Sequence, residues 1–361
     1  MSKNLSNPQR ILVINLFGIG DVLFTFPLIR NLKLQFPQAS IGYIGNSRTN
    51  SLLKDNKDID QVFVYDRDEY NSVYKRSKLE FIKKGRAFIA KIKQEGYDVV
   101  FDFSMSPSFN FFTVLAGIKQ RIGFNYKNRS CFLTNKFPLL GFEGKHVVDF
   151  YLDILPKMGV SVEERALSIS LNPDDDQWAK DLIKNEGFSR ESPIIGVVPG
   201  AGASWGSEAK YKQWQPEKYM KLVDKMIENL SCQIILMGDG KELDLCEKIA
   251  KSTNSKVLQA CGKTSVGQLA ALLSQCSAVV LNDGGPLHLA VAVGTKTVSI
   301  FGPVDAKVYG PFGNSSDHCV VTSDVSCRPC YRRFRMVACA HSRCLHDISA
   351  DTVFESIKKI I

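Results

Sequence analysis

Ile11-Leu12-Val13-Ile14-Asn15-Leu16-Phe17 is an apolar run that stops at Gly18-Ile19-Gly20-Asp21, and a helix-spaced pattern follows over 22–36, ending before Pro37. A short apolar run closed by a glycine turn reads as a strand buried in a parallel sheet, and the helix after it makes the start of a βαβ unit. The rhythm continues with strands predicted over 40–44, 62–65 and 98–103 and a last helix over 146–158. It restarts at 194–198, followed by Pro199-Gly200, and goes on at 233–237, 256–259, 278–281 and 297–301. Three of these later runs end on turns containing Gly238-Asp239-Gly240, Asn282-Asp283-Gly284-Gly285-Pro286 and Gly302-Pro303. Strands alternating with helices in two blocks predict an α/β protein with two Rossmann-like, doubly wound units facing a central cleft. The predicted division is 1–170, a linker at 171–192 with a helix near 178–184, a second unit at 193–346, and a final helix within 347–361.

The chain has 361 residues, 44% apolar and 23% charged, an ordinary globular composition that excludes collagen-like and disordered readings. Its start is polar, with no apolar signal-peptide region and no run near the ~18 residues of a membrane span, which predicts a cytoplasmic protein. The net charge of +9 is unevenly placed: 24 basic and 16 acidic residues in 1–165 leave +8 there, and +1 in the remainder. The densest stretch, 75–93, sets eight cations, Lys83, Lys84 and Arg86 among them, against Glu80, with apolar residues at helical spacing. Such a helix suits an anionic membrane surface or a phosphorylated acceptor; a solvated helix face is the plainer alternative. No aromatic-studded RNA motif or zinc finger accompanies it, so nucleic acid is not expected as a partner.

Ten cysteines without a secretion signal are expected as thiols. Cys327-Arg328-Pro329-Cys330, followed by Cys339 and Cys344, has the outline of a metal site, although the last spacing is loose for a zinc ribbon. A packed thiol-rich loop is the other reading.

Ligands of doubly wound sheets bind beyond the carboxyl ends of the strands. There Asp21 is either a helix cap or a carboxylate acting as general base on a substrate hydroxyl. The third glycine of a dinucleotide fingerprint is replaced by Leu23, which argues against a nicotinamide cofactor. Asp283-Gly284-Gly285-Pro286-Leu287-His288 is the sharpest motif. Its glycines allow close approach of backbone to ligand, and a helix start favours a bound diphosphate. Lys212 could neutralise that group or be a surface lysine, and Glu242 could meet ribose hydroxyls or simply begin a helix.

These segments, in this order, resemble the ADP-heptose:lipopolysaccharide heptosyltransferases of glycosyltransferase family 9. The likeness rests on Gly18-Ile-Gly-Asp21, Pro199-Gly200, Trp205-Gly206, Lys212-Gln-Trp214, Gly238-Asp-Gly240, Asp283 to Ala290 and the cysteine-bearing tail. The resemblance implies a GT-B fold, with the acceptor in the first unit, the nucleotide sugar in the second, and the last helix packing back on the first. It implies an inverting, metal-independent transfer of heptose from ADP-heptose to the inner core of lipopolysaccharide, by a peripheral protein at the cytoplasmic face of the inner membrane. By position, Asp21 matches the catalytic aspartate and Lys212 the diphosphate-binding lysine. Asp283, Gly284, Gly285 and His288 match the donor turn, Glu242 the nucleoside contact, and Ser204 or Ser207 the hydroxyl residues. Lys83, Lys84 and Arg86 become acceptor- or membrane-facing, and Gly284 stands where some members carry Thr. Transferases of other nucleotide sugars, a non-catalytic binding protein and a metal or redox role for the cysteines are the rival readings.

Overall fold

The computed structural model describes residues 4–189 and 191–361, apart from the side chains of residues 203, 204, 205 and 207. The chain forms two compact units. The first takes the described residues up to Gly141 together with Val148–Arg165; the second takes Phe142–Val147 and the described residues from Ala166 onward.

The first unit holds one parallel sheet of β1 (Arg10–Ile14), β2 (Ser40–Gly45), β3 (Gln61–Val64), β4 (Val99–Asp102), β5 (Gln120–Tyr126) and β6 (Asn135–Leu139). Their order across the sheet is β3-β2-β1-β4-β5-β6. Strand order reverses between β1 and β4, where Ile14 pairs with Asp102, so the ligand-binding edge of this unit centres on the loops after those strands. The helix expected over 22–36 is two helices, Ile19–Leu23 and Phe26–Gln35, with Pro27 at the start of the second, where proline's missing N–H costs nothing.

The second unit repeats the plan with β7 (Ile194–Val198), β8 (Gln233–Leu236), β9 (Val257–Gln259), β10 (Ala278–Asn282), β11 (Lys296–Ile300) and β12 (His318–Val321). The order β12-β11-β10-β7-β8-β9 places its reversal between β10 and β7. β7 and β10 are buried along their whole length, as strands covered on both faces must be.

The segment read as a linker contains the helix Pro173–Asn185, capped by Asn172, which packs on the helix Val266–Ser274 and belongs to the second unit. The last helix, Ala350–Lys358, also groups with the second unit. Val353, Phe354, Ile357 and Ile360 enter the same apolar cluster as Tyr219, Leu222 and Val223 of the helix Pro216–Leu230. Lys296 fixes the end of the chain by donating to the Ile360 carbonyl at 2.7 Å. Burial of that amphipathic face is what holds the helix there.

Candidate active site

In the first unit, the loop after β1 is held by asparagines. Buried Asn15 accepts from the Phe17 N–H at 3.1 Å and donates to the Asp21 carbonyl at 3.0 Å. Asn46, just after β2, donates to the carbonyls of Leu16 and Phe17 at 3.2 and 2.7 Å. Asp21 is the third residue of its helix, not the cap; the cap is Gly18, whose N–H donates to Asp21 Oδ2 at 3.2 Å. The charge of the half-buried Asp21 carboxylate is felt by two fully buried phenols, Tyr43 and Tyr151. Burial holds both phenols protonated far above the usual tyrosine range, and the charge of Asp21 adds to this. Both phenols therefore stay neutral near pH 7.

Across the strand-order reversal, Asp102 ends β4 almost fully buried. Its Oδ1 accepts from the Ser104 N–H and hydroxyl at 3.0 and 2.6 Å, and its Oδ2 from Asn110 Nδ2 at 2.6 Å. Burial raises its pKa, partly offset by these donors. The carboxylate braces a loop in which Met105 takes a positive φ of 53°, unusual for a residue other than glycine. Around this same carboxyl edge, Arg48, Arg67, Lys127 and Arg129 follow β2, β3 and β5, all exposed. Lys83 and Arg86 are exposed on the helix Lys78–Glu95, whereas Lys84 is half-buried, paired with Glu69 and 4.8 Å above the Tyr70 ring.

In the second unit, one side chain organises the reversal. Asn282, at the end of β10, donates to the carbonyls of Pro199 and Gly200 at 2.8 and 2.9 Å and accepts from the Trp214 N–H at 3.2 Å. Beside it, Lys212 Nζ meets Asp283 Oδ2 at 2.7 Å with the two side chains 4% and 6% exposed. Lys212 is thus a buried, paired cation, not a surface lysine. Gly284 caps the helix Gly285–Ala292 in extended backbone, and a Cβ there would stand 3.4 Å from the Ala201 carbonyl, ordinary contact. His288 is buried; burial, then the charges of His146 and Lys212, lower its pKa well below 6.5, so it is a neutral imidazole near pH 7.

Glu242 lies under the turns as a brace. Its Oε1 accepts from the Gly202 N–H at 3.1 Å and its Oε2 from the Asp239 N–H at 3.0 Å, while burial raises its pKa. A Cβ on Gly200 would fall 1.6 Å from that carboxylate and one on Gly238 2.7 Å from it, which is why both positions need glycine. Ser204 and Ser207 fall in the turn Ala203–Tyr211, and their side chains lie outside the described residues.

The structure therefore gathers Lys212, Asp283, Gly284, Gly285 and His288 at one reversal and centres Asp21 on the other. Asn15, Asn46, Asp102, Asn110 and Asn282 were not anticipated as site residues. The available signal was a polar residue closing an apolar strand, at Asn15, Asp102 and Asn282.

The cysteine tail forms a cluster of free thiols. Cys344 is pushed up to about 11 by burial and then by Cys330, Cys327 and Cys339; Cys330 is raised by burial, Cys327 and Cys339. Among the described residues, no group of three or more His, Cys, Asp or Glu is arranged to hold a metal ion.

Two parallel six-stranded Rossmann-like units of this order make a GT-B fold. The chain matches the structure of an Escherichia coli ADP-heptose lps heptosyltransferase II with a TM-score of 0.75 at 20% identity, covering 97% of this chain and 98% of that one. The sequence profile of glycosyltransferase family 9 (heptosyltransferase) matches residues 85–341, and the chain belongs to that family. Lipooligosaccharide heptosyltransferase 2 of Campylobacter jejuni serotype O:2 is 25% identical over 347 residues, 95% of each chain. The same-named protein of serotype O:6 is 33% identical over 171 residues, 46% of this chain and 51% of that one. This protein is a glycosyltransferase.

Proposed function

We propose that the protein transfers heptose from ADP-heptose to the inner core of lipopolysaccharide with inversion at the anomeric carbon, working peripherally at the cytoplasmic face of the inner membrane. The observation that carries the reading is the chemistry at the two strand-order reversals: an ionisable carboxylate on one, a buried cation beside a glycine-led helix start on the other. A relative of almost equal length is a lipooligosaccharide heptosyltransferase, and a solved structure of the same fold bears ADP-heptose in its name.

Asp21 takes the proton from the acceptor hydroxyl as that oxygen bonds to the anomeric carbon and the bond to the diphosphate oxygen breaks. The leaving ADP gains negative charge. Lys212 and the N–H groups at Gly284–Gly285 stabilise it, which makes a metal ion unnecessary for the step. Asp283 fixes the Lys212 ammonium before the donor arrives, so little reorganisation is needed during reaction. His288, neutral, serves as a hydrogen-bonding group rather than a second cation. Glu242 shapes the nucleoside side of the turn through the backbone it holds.

The test is ADP release from ADP-heptose with heptose-deficient lipopolysaccharide as acceptor, in EDTA, with Asp21→Asn in parallel and other nucleotide sugars as competing donors. Acceptor-dependent release that the variant loses is the expected result. Release from a different nucleotide sugar alone would reassign the donor, and full turnover by the variant would remove Asp21 from the chemistry.

A further inference from the structure

After β12 the chain runs through 22 residues, Val325 to His346, that hold five arginines and no aspartate or glutamate. Three of the five stand in one turn. The Arg332 N–H donates to the Arg335 carbonyl at 3.0 Å and the Arg335 N–H to the Arg332 carbonyl at 2.9 Å, an antiparallel pair closed by Arg333 and Phe334. Both closing residues take positive φ, 50° and 60°. A two-residue turn of that hand is the place of Asn-Gly, and a bulky residue such as Phe334 is an outlier in it. Arg332 and Arg335 stand directly opposite each other, where like charges weaken the pair further. All three arginines are exposed.

A turn so disfavoured by its own residues is held in place by its surroundings. The N–H groups of Cys330 and Tyr331 both donate to the Pro303 carbonyl, at 3.0 and 3.1 Å, and Arg328 Nε donates to the Gly302 carbonyl at 2.8 Å. The rings of Tyr331 and Phe334 pack against Tyr309 and Phe142. Gly302 and Pro303 follow β11, which lies parallel to β10. The arginine turn is therefore mounted on the same carboxyl edge as the helix start at Gly284–Gly285, one strand further out. Its guanidinium groups are little used within the protein. Arg332 gives Nε to the Pro329 carbonyl at 3.1 Å, Arg333 reaches Glu143 at 4.0 Å, and Arg335 forms no ion pair among the described residues.

We propose that Arg332, Arg333 and Arg335 form an anion subsite that takes a phosphate or carboxylate group of the acceptor saccharide. An oxyanion among the three cations relieves their mutual repulsion, and each guanidinium presents a fork matched to two of its oxygens. On the proposed function the donor's diphosphate already has Lys212 and the helix start, so the anion held here belongs to the other substrate. The inference rests on that reading for the identity of the saccharide.

The probe is heptose-deficient lipopolysaccharide freed of its acyl chains, a water-soluble saccharide, titrated against the full chain without donor. Replacing Arg332→Gln, Arg333→Gln and Arg335→Gln together should weaken its binding about tenfold, since exposed charged contacts are individually small. The acceptor KM should rise by the same factor, with kcat and ADP affinity within about twofold of wild type. Arg333→Gly suits a φ of 50° and should melt no lower than wild type, yet bind the saccharide about threefold more weakly, a combination that a merely structural role does not give. Phosphatase treatment of the probe tells the two anions apart within the proposal: the difference between wild type and triple variant vanishes if phosphate is the ligand and survives if carboxylate is. Equal binding by wild type and the triple variant would overturn the proposal even where transfer proceeds. Loss of ADP affinity with saccharide binding kept would overturn it too, assigning the turn to the donor. Arginine-dependent binding without any transfer would keep the subsite and defeat the proposed reaction instead.

Discussion

The two units share a strand order and differ at its reversal. In the first, carboxylates stand at the reversal, Asp21 in the helix after β1 and Asp102 as the last residue of β4, and exposed arginines and lysines stand along the same edge. In the second, the loops after β7 and β10 carry glycines, a helix start and a cation already paired within the protein. A carboxylate near a cationic rim suits a hydroxyl nucleophile on an anionic carrier. A helix start with a pre-paired lysine suits a leaving anion. On the proposed reading the same scaffold serves opposite halves of one reaction, because the fold dictates where loops gather and the residues in them dictate the charge.

The sharpest way to break this contrast is at Asp21. Asp21→Asn should lower kcat by about 10²–10⁴ and leave ADP affinity close to wild type, the range expected for loss of a general base. Kinetics with ADP titration check it, and a fall in ADP affinity of the same size would place Asp21 on the donor side. Next is the buried pair. Lys212→Ala leaves Asp283 buried without its partner and should cost about 3–5 kcal/mol of stability. Combining Lys212→Met with Asp283→Asn should recover most of that in urea unfolding without recovering donor affinity, which separates the structural from the functional share of the lysine. Asn282→Ala removes three hydrogen bonds to the turns and should cost about 1–3 kcal/mol while weakening donor binding.

Smaller effects test the electrostatics. His288 has a folded-state pKa below its unfolded value of 6.5. As the pH falls below about 6.5, unfolded chains take a proton that folded chains refuse, so stability is full above that pH and declines below it, by up to about 1.4 kcal/mol per pH unit. His318 is lowered by burial in the same sense, so the comparison with His288→Gln isolates the first group: its unfolding midpoint should fall less steeply between pH 7 and 5. Gly284→Thr should change stability by less than about 1 kcal/mol, since the backbone is extended and the Cβ finds ordinary contact. Gly200→Ala, by contrast, should disturb the Glu242 brace, and thermal melts of the two variants side by side show the difference.

Much of this was legible in the chain because apolar strands between glycine turns leave few alternatives. The run before Gly18 and the strand Ile194–Val198 could hardly be anything else. β5, β6 and β12 escaped for physical reasons. β5 opens with Gln120-Arg121, β6 is an edge strand holding Lys136 and Pro138, and β12 is four residues at the other sheet's edge. Edge strands tolerate charge and proline because one side needs no partner. At the site, Asp21, Lys212 and the Asp283–His288 turn stood out by residue type and spacing. What spacing could not convey was burial: that Lys212 and His288 lie inside, that Glu242 faces its own backbone, and that Asn282 ties segments some 80 residues apart. Such contacts arise only once the sheet brings β7 and β10 side by side.

Asn282 has a dynamic consequence. Because one buried amide joins the turn after β7, the backbone at Trp214 and the end of β10, none of the three can open without breaking bonds to the others. They are expected to open together, and binding of ADP at the helix start should then slow exchange of amide hydrogens in all three. On the proposed reading, ADP bound at the helix start should register at Trp214, a buried indole whose fluorescence can report it.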